Sequence, residues 1–278
     1  MARVTKRWRV QHMSAAGVVR ERADLLAGEE PLEVRVGGTS FTVTMRTPGH
    51  DFDLVAGFLV SEGVVHARDH IVRMDYRTGI GTAGERDYNV VDVRLAHDVA
   101  PPDTSMQRHV YTSSSCGVCG TASIEAVTKV SRYDVAADPG SVLLDHLLAL
   151  PERLRERQGT FTDTGGVHAA ALFAPARRPG TAGTPGPDDA APELLCVRED
   201  VGRHNAVDKV VGWALREGLL PLTGAVLQVS GRASFELVQK AAMAGIPVLS
   251  AVSAPSALAV ELGADRGLTV VGFNRGGR

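Results

Sequence analysis

From Val207 to Val271 the sequence alternates helix and strand patterns with so little chain between them that few folds remain open. Val207, Val210, Val211, Ala214 and Leu215 recur at helical spacing, and Ala225 to Val229 is an apolar run of strand length. Phe235 to Ala244 is again helical, Ile246 to Leu249 a strand, Ser256 to Leu262 a helix and Leu268 to Val271 a strand. Short connections in such an order make successive strands parallel, because each crossover returns the chain to the same end of the sheet. The fold class is therefore α/β. Two of the strands run into the turns Ser230-Gly231-Arg232-Ala233-Ser234 and Ser253-Ala254-Pro255-Ser256, each opening a helix. The N–H groups and dipole of a helix N-terminus suit an anion, and Arg232 adds a positive charge; ordinary N-capping by Ser234 and Ser256 accounts for the same residues.

The N-terminal third reads differently. Leu32, Val34 and Val36 alternate with polar residues up to Gly37-Gly38, and Phe41, Val43 and Met45 alternate after it, which predicts a hairpin. Pro48-Gly49 ends the second strand, and Asp51 and Asp53 place negative charge in the first turn of a helix. Phe52, Val55, Leu59 and Val60 give that helix one apolar face, which caps the small sheet, and Gly63 ends it. Gly79-Ile80-Gly81-Thr82-Ala83-Gly84 spells the dinucleotide fingerprint G-x-G-x-x-G, but Asn89 to Leu95 continues as an alternating strand. The fingerprint needs a helix there, so the segment is read as a loop.

Between these regions, Ile124, Val127 and Val130 keep helical spacing, and Val142 to Leu154 is a Leu-rich helix interrupted by Pro151. Gly165-Gly166 opens an apolar strand reaching Phe173, and Glu193 to Val197 reads as its neighbour, with Cys196 a buried strand residue. From Ala176 to Pro192, four of 17 residues are Pro and three are Gly, without apolar periodicity, which reads as a surface excursion.

The most informative short stretch is SSSCGVCG, Ser113 to Gly120. A chain of 278 residues buries a core without disulfide staples, so its three cysteines are not needed as scaffold. No signal-peptide pattern follows the basic start, and no run of about 18 apolar residues occurs. The expected location is the cytoplasm, where cysteines are thiols. A net charge of −2, from 30 basic and 32 acidic residues, gives no overall field for nucleic acid or an anionic membrane, and neither is expected as a partner. Four readings of Cys116 and Cys119 are open. Zinc needs about four ligands, and the remaining ones are hard to find; no metal is expected. A thioredoxin-like dithiol normally opens a helix directly after a strand, whereas Tyr111 to Ser115 is polar. A thiol carried on a polar loop suits transfer of sulfur as a persulfide, with the second cysteine releasing it by disulfide formation. The fourth reading is an incidental pair.

Six blocks then carry a resemblance. TPGHDFDLVAGFLVSEGVV at Thr47, SSSCGVCG at Ser113, FTDTGGVHAAALF at Phe161, REDVGRHNAVDKVVG at Arg198, the long segment from Ser230 to Gly263, and GFNRGG at Gly272 resemble the formate dehydrogenase accessory proteins, the FdhD family of sulfurtransferases. The resemblance implies a smaller N-terminal α/β subdomain, here residues 1–112, and a three-layer domain similar to cytidine deaminase, residues 113–278, that begins with the C-x-x-C loop. It implies a sulfur carrier that accepts persulfide sulfur from a cysteine desulfurase. The sulfur then passes to the molybdenum of a bis(molybdopterin guanine dinucleotide) cofactor, a bound client destined for formate dehydrogenase. By the same resemblance Cys116 bears the persulfide, Cys119 is its partner, and Phe273, Asn274, Arg275, Gly276, Gly277 and Arg278 match the segment that binds the cofactor. The two Ser-containing turns, through Ser230, Gly231, Arg232 and Ser253, are candidates for its phosphates.

The residues support such a client independently: arginines for pyrophosphate, helix N-termini for phosphate and Phe273 for stacking on a base. In REDVGRHNAVDKVVG, Arg198, Glu199, Asp200, Arg203, His204 and Asn205 form either a site rim or a buried ionic and capping network. His168 lacks the Glu and Cys companions of a deaminase metal site and reads as a pocket or core histidine. A cofactor-binding chaperone that bears no sulfur and a dithiol oxidoreductase are the alternatives, and the expected assembly is a homodimer.

Overall fold

The computed structural model describes residues 4–17, 19–77, 79–80, 86–102, 129–138, 142–174 and 191–276. The proposed C-x-x-C pair, Ile124 and Val127 of the expected helical pattern, and the boundary at 112/113 lie outside them, as does nearly all of the Pro/Gly-rich excursion; Val130, the last residue of that pattern, is described and lies exposed outside any helix.

The chain opens with an antiparallel ribbon of β1 (Thr5–Met13) and β2 (Val19–Ala27) that joins neither main sheet. Next come β3 (Glu30–Val36) and β4 (Thr39–Arg46), the hairpin expected from the alternation. Gly37 and Gly38 sit at φ 58° and 84°, the left-handed pair that a two-residue turn between twisted strands demands. After α1 (Asp51–Ser61) follow β5 (Ile71–Tyr76), the short ribbon of β6 (Gly79–Ile80) with β7 (Arg86–Asp87), and β8 (Val90–Leu95). The apparent dinucleotide fingerprint, read as a loop, thus begins in a strand, because its Gly79 and Ile80 form β6, and no helix follows before β8 among the described residues. The small sheet runs β4-β3-β8-β5, with Leu32, Val34, Val36, Val91 and Val93 buried against α1.

The second half contributes α2 (Leu144–Arg155), α3 (Gly159–Thr164), β9 (His168–Ala174), β10 (Glu193–Asp200), α4 (Arg203–Arg216), β11 (Val226–Val229), α5 (Phe235–Met243), β12 (Val248–Ala251), α6 (Ala257–Arg266) and β13 (Thr269–Val271). The large sheet has the order β10-β9-β11-β12-β13. β11, β12 and β13 are parallel as expected, whereas β9 runs antiparallel to both β10 and β11, so the sheet is mixed. Its residues alternate between two faces. Ala169, Ala171, Phe173, Val226 and Val248 pack beneath Leu147, Leu150 and Leu154 of α2. Ala170, Leu172, Leu227, Val229, Leu249 and Ala251 face α4, α5 and α6.

The expectation that α1 caps the small sheet captures half of its role, because its other side crosses α4. At the crossing Gly57 and Gly212 stand in mutual contact: a Cβ on either would collide with the backbone carbonyl of Asp208 or Asp53 on the opposite helix. One continuous apolar cluster therefore runs from the small sheet through α1 and α4 to the large sheet. Buried ion pairs flank it. Arg46, fully buried, holds Asp51 through two contacts of 3.1 Å. Lys209 meets Asp200 at 2.7 Å and donates to the Thr47 carbonyl at 2.9 Å. Lys240 meets both carboxylate oxygens of Asp208 at 2.7 Å, and Ser61 donates to one of them at 2.7 Å.

Candidate functional site

The parallel strands point their carboxyl ends at one edge of the large sheet, and such edges are where α/β sheets bind ligands. Here β11 leaves through Ser230, β12 through Val252 and β10 through Val201, while the antiparallel β9 starts at the same edge with His168. The C-terminal half of α2 and the short α3 roof this edge. A cavity of about 640 Å³ lies between them, with Pro151, Glu152, Leu154, Arg155, Gln158 and Phe161 on the roof. The Gly165-Gly166 turn, Ser230 and the segment Arg275-Gly276 complete the wall.

Local forces fix this geometry. The Glu199 carboxylate accepts the N–H groups of Thr160 and Phe161, both at 2.8 Å, and so caps α3. Gly165 ends α3 in the left-handed conformation, φ 66°. Ser230 Oγ accepts the Ala169 N–H at 2.9 Å, which locks the β11 exit to the β9 entry. On the roof, the Arg155 guanidinium stacks over the Phe161 ring at 4.5 Å. His168 is held below the usual imidazole range by burial and by the positive charge of Arg203 and His204, with Asp200 opposing them. It is neutral at pH 7, with one ring nitrogen able to donate and the other to accept.

The anticipated site residues divide by position. Ser230, Arg275 and Gly276 meet in the cavity wall. Gly231 backs onto the His168 ring and the Arg203 side chain. Ser253 lies between turns, its N–H donating to the Gly231 carbonyl at 3.1 Å and its carbonyl accepting the Phe273 N–H at 3.1 Å. Arg232 is exposed outside the cavity wall, and so is Phe273, at 54%. The Asn274 side chain turns into the core. Cys116, Cys119, Gly277 and Arg278 are outside the described residues. Ser256 caps α6 through the Ala259 N–H at 3.2 Å, the ordinary reading of that turn, whereas Ser234 makes no side-chain cap and lies 3.5 Å from His204 Nε2.

The cluster from Arg198 to Asn205 is chiefly an ionic and capping network. Arg198 grips Asp53 at 2.9 Å, Glu199 caps α3, Asp200 pairs with Lys209, and Asn205 donates to the Met45 carbonyl at 2.7 Å. His204 pairs with Glu236. Arg155 and Phe161 were not anticipated. An arginine ending an amphipathic helix matches the helix dipole, and nothing in the linear pattern announces that it stacks on a ring six residues later. Among the described residues no three His, Cys, Asp or Glu side chains converge as a metal site, and no helix is long and apolar enough to cross a membrane.

The FdhD/NarQ family model matches residues 27–278. A relative from Mycolicibacterium paratuberculosis, named sulfur carrier protein FdhD, is 54% identical over 272 residues, covering 98% of this chain and 94% of its own. One of the same name from Thermoplasma volcanium is 41% identical over 267 residues, covering 92% of this chain and 86% of its own. A crystal structure from Desulfotalea psychrophila, described as a formate dehydrogenase accessory protein, shares the fold with TM-score 0.68 at 20% identity, over 99% of this chain and 95% of that one. The chain belongs to the FdhD/NarQ family.

Proposed function

We propose that this protein is a sulfur carrier serving formate dehydrogenase, and that it works as a persulfide sulfurtransferase. The observation that carries this reading is 54% identity, over almost the whole length of both chains, to proteins named sulfur carrier protein FdhD. The Cys116 thiolate attacks the outer sulfur of a cysteine desulfurase persulfide; a new S–S bond forms on Cys116 and the desulfurase thiolate leaves. Cys119 then attacks Cys116 Sγ, the Cys116–Cys119 disulfide forms, and the terminal sulfur departs as hydrosulfide toward the molybdenum of the client cofactor. A cellular dithiol reduces the disulfide and resets the pair.

In this reading the cavity receives part of the guanine dinucleotide client. Its volume of about 640 Å³ falls in the range of roughly 300–1,000 Å³ usual for small-molecule sites. Its wall is chemically suited: Arg155 and Arg275 for phosphate oxygens, the stacked Phe161 for an aromatic base, and neutral His168 as a hydrogen-bond partner. A large domain of the cytidine deaminase type, with α2 over one face of the sheet and α4, α5 and α6 over the other, agrees with this placement. The test is to incubate the protein with a cysteine desulfurase and cysteine, then map added sulfur by peptide mass spectrometry in the wild type and in Cys116→Ala and Cys119→Ala. One reducible sulfur on Cys116 is expected. No added sulfur on either thiol, with a desulfurase active on another acceptor, refutes the carrier and favours a cofactor chaperone.

A further inference from the structure

Helix α2 contains Pro151, and a proline has no N–H for the carbonyl four residues back, which is that of Leu147. That carbonyl sits on a buried face, where an unpaired acceptor is costly. Asn274 supplies the missing donor: its Nδ2 reaches Leu147 O at 2.7 Å and Ser250 Oγ at 2.9 Å, with Gln228 Oε1 farther off at 3.5 Å. Asn274 is 0% exposed, yet its Oδ1 has no partner. A buried amide that leaves one of its own atoms unpaired is not there for its own satisfaction; the position requires the donor.

The approach to Asn274 is also costly. Phe273 stands at φ 57°, left-handed and disfavoured for any residue with a Cβ. The kink points Asn274 inward, and the next residue, Arg275, enters the cavity wall. The helix that Asn274 grips brings Arg155 into the same wall. One buried amide thus ties together the two elements that carry the cavity's two arginines.

We propose that Asn274, bound to the carbonyl that Pro151 frees, is a positioning residue that sets Arg275 against Arg155 for recognition of a nucleoside diphosphate. The proposal deepens the cavity reading above and rests on it. Its test is calorimetric titration of the full chain with guanosine diphosphate, comparing wild type, Arg275→Ala, Asn274→Ala, the double variant and Pro151→Ala, with a thermal melt for each. Arg275→Ala weakens binding about tenfold, and Asn274→Ala comes close to it. The double variant falls well short of the product of the two losses, because Asn274 acts through Arg275. Pro151→Ala restores an N–H that competes for Leu147 O, so affinity drops while the melting temperature does not, a split that a purely structural role would not produce. If Asn274→Ala fails to fold, Ser250→Ala removes the second acceptor alone and gives a partial loss of affinity. Wild-type affinity in Pro151→Ala together with Asn274→Ala or Ser250→Ala, alongside a weakened Arg275→Ala, overturns the positioning role and leaves the cavity reading intact. Wild-type affinity in Arg275→Ala removes the cavity reading and this proposal with it.

Discussion

The two faces of the large sheet are covered by different means. On one, α4, α5 and α6 form a full layer, and a glycine-to-glycine crossing and buried ion pairs join it to α1 and the small sheet. On the other, α2 covers the strands toward one edge, and beneath its C-terminal half the packing gives way to a cavity bounded by two arginines, Glu152, a histidine and backbone turns. The two faces divide the labour: close packing and paired charge hold the first face together, while the second keeps open volume and arginines without carboxylate partners among the described residues. Substitutions on the first face are expected to change stability with little effect on nucleotide affinity, and those on the second to do the reverse.

The strongest challenge to that division is Lys209→Ala. It leaves the fully buried Asp200 carboxylate without its cation, a change that costs about 3–5 kcal/mol in comparable buried pairs. Chemical denaturation should show a loss of that size, with guanosine diphosphate binding by the remaining folded protein unaltered. Gly57→Ala comes next. The new Cβ meets the Asp208 carbonyl, α1 and α4 must separate, and about 1–3 kcal/mol is lost; an unchanged melting temperature would mean that the crossing yields freely. On the cavity face, Arg155→Ala removes an exposed guanidinium stacked on Phe161, so binding falls roughly tenfold while stability stays within about 0.5 kcal/mol.

The smallest effect concerns pH. His50, His66 and His168 are all held below their ordinary value, chiefly by burial. The unfolded chain therefore binds protons that the native chain refuses. The stability these histidines contribute is full above the unfolded pKa near 6.5 and is lost as pH falls toward the native values. Replacing His168 by Gln should reduce the fall in melting temperature between pH 7 and pH 5 by no more than about 2 °C. A fall as steep as in the wild type would show that His168 carries none of it.

Much of this architecture was legible because apolar periodicity reports burial directly. Alternation at Leu32, Val34 and Val36 and helical spacing from Val207 to Leu215 mark elements that each bury one face, and both lie where the pattern puts them. Direction was harder to read. β9 is apolar on both faces, since both are covered, and such a run carries no mark of whether its neighbour is parallel. α3 is too short to show a period. The site was legible where it follows strand ends, as at Ser230 and His168, and illegible where it depends on contacts between distant segments, as with Arg155 beside Phe161. Asn274 sits in a motif whose neighbour Arg275 lines the cavity, and only the left-handed turn at Phe273 reveals that its own side chain points the other way. Pro151 reads as an interruption in a helix until its freed carbonyl is seen to have a partner.

Cys196 lies in β10, 5% exposed, with burial pushing its thiol up to about 12. At neutral pH it is a spectator to electrophiles, because the thiolate is the reactive form. Whatever the native protein consumes of a maleimide or a disulfide reagent is therefore a count of Cys116 and Cys119, and that pair can be followed in the wild-type chain without removing the third cysteine.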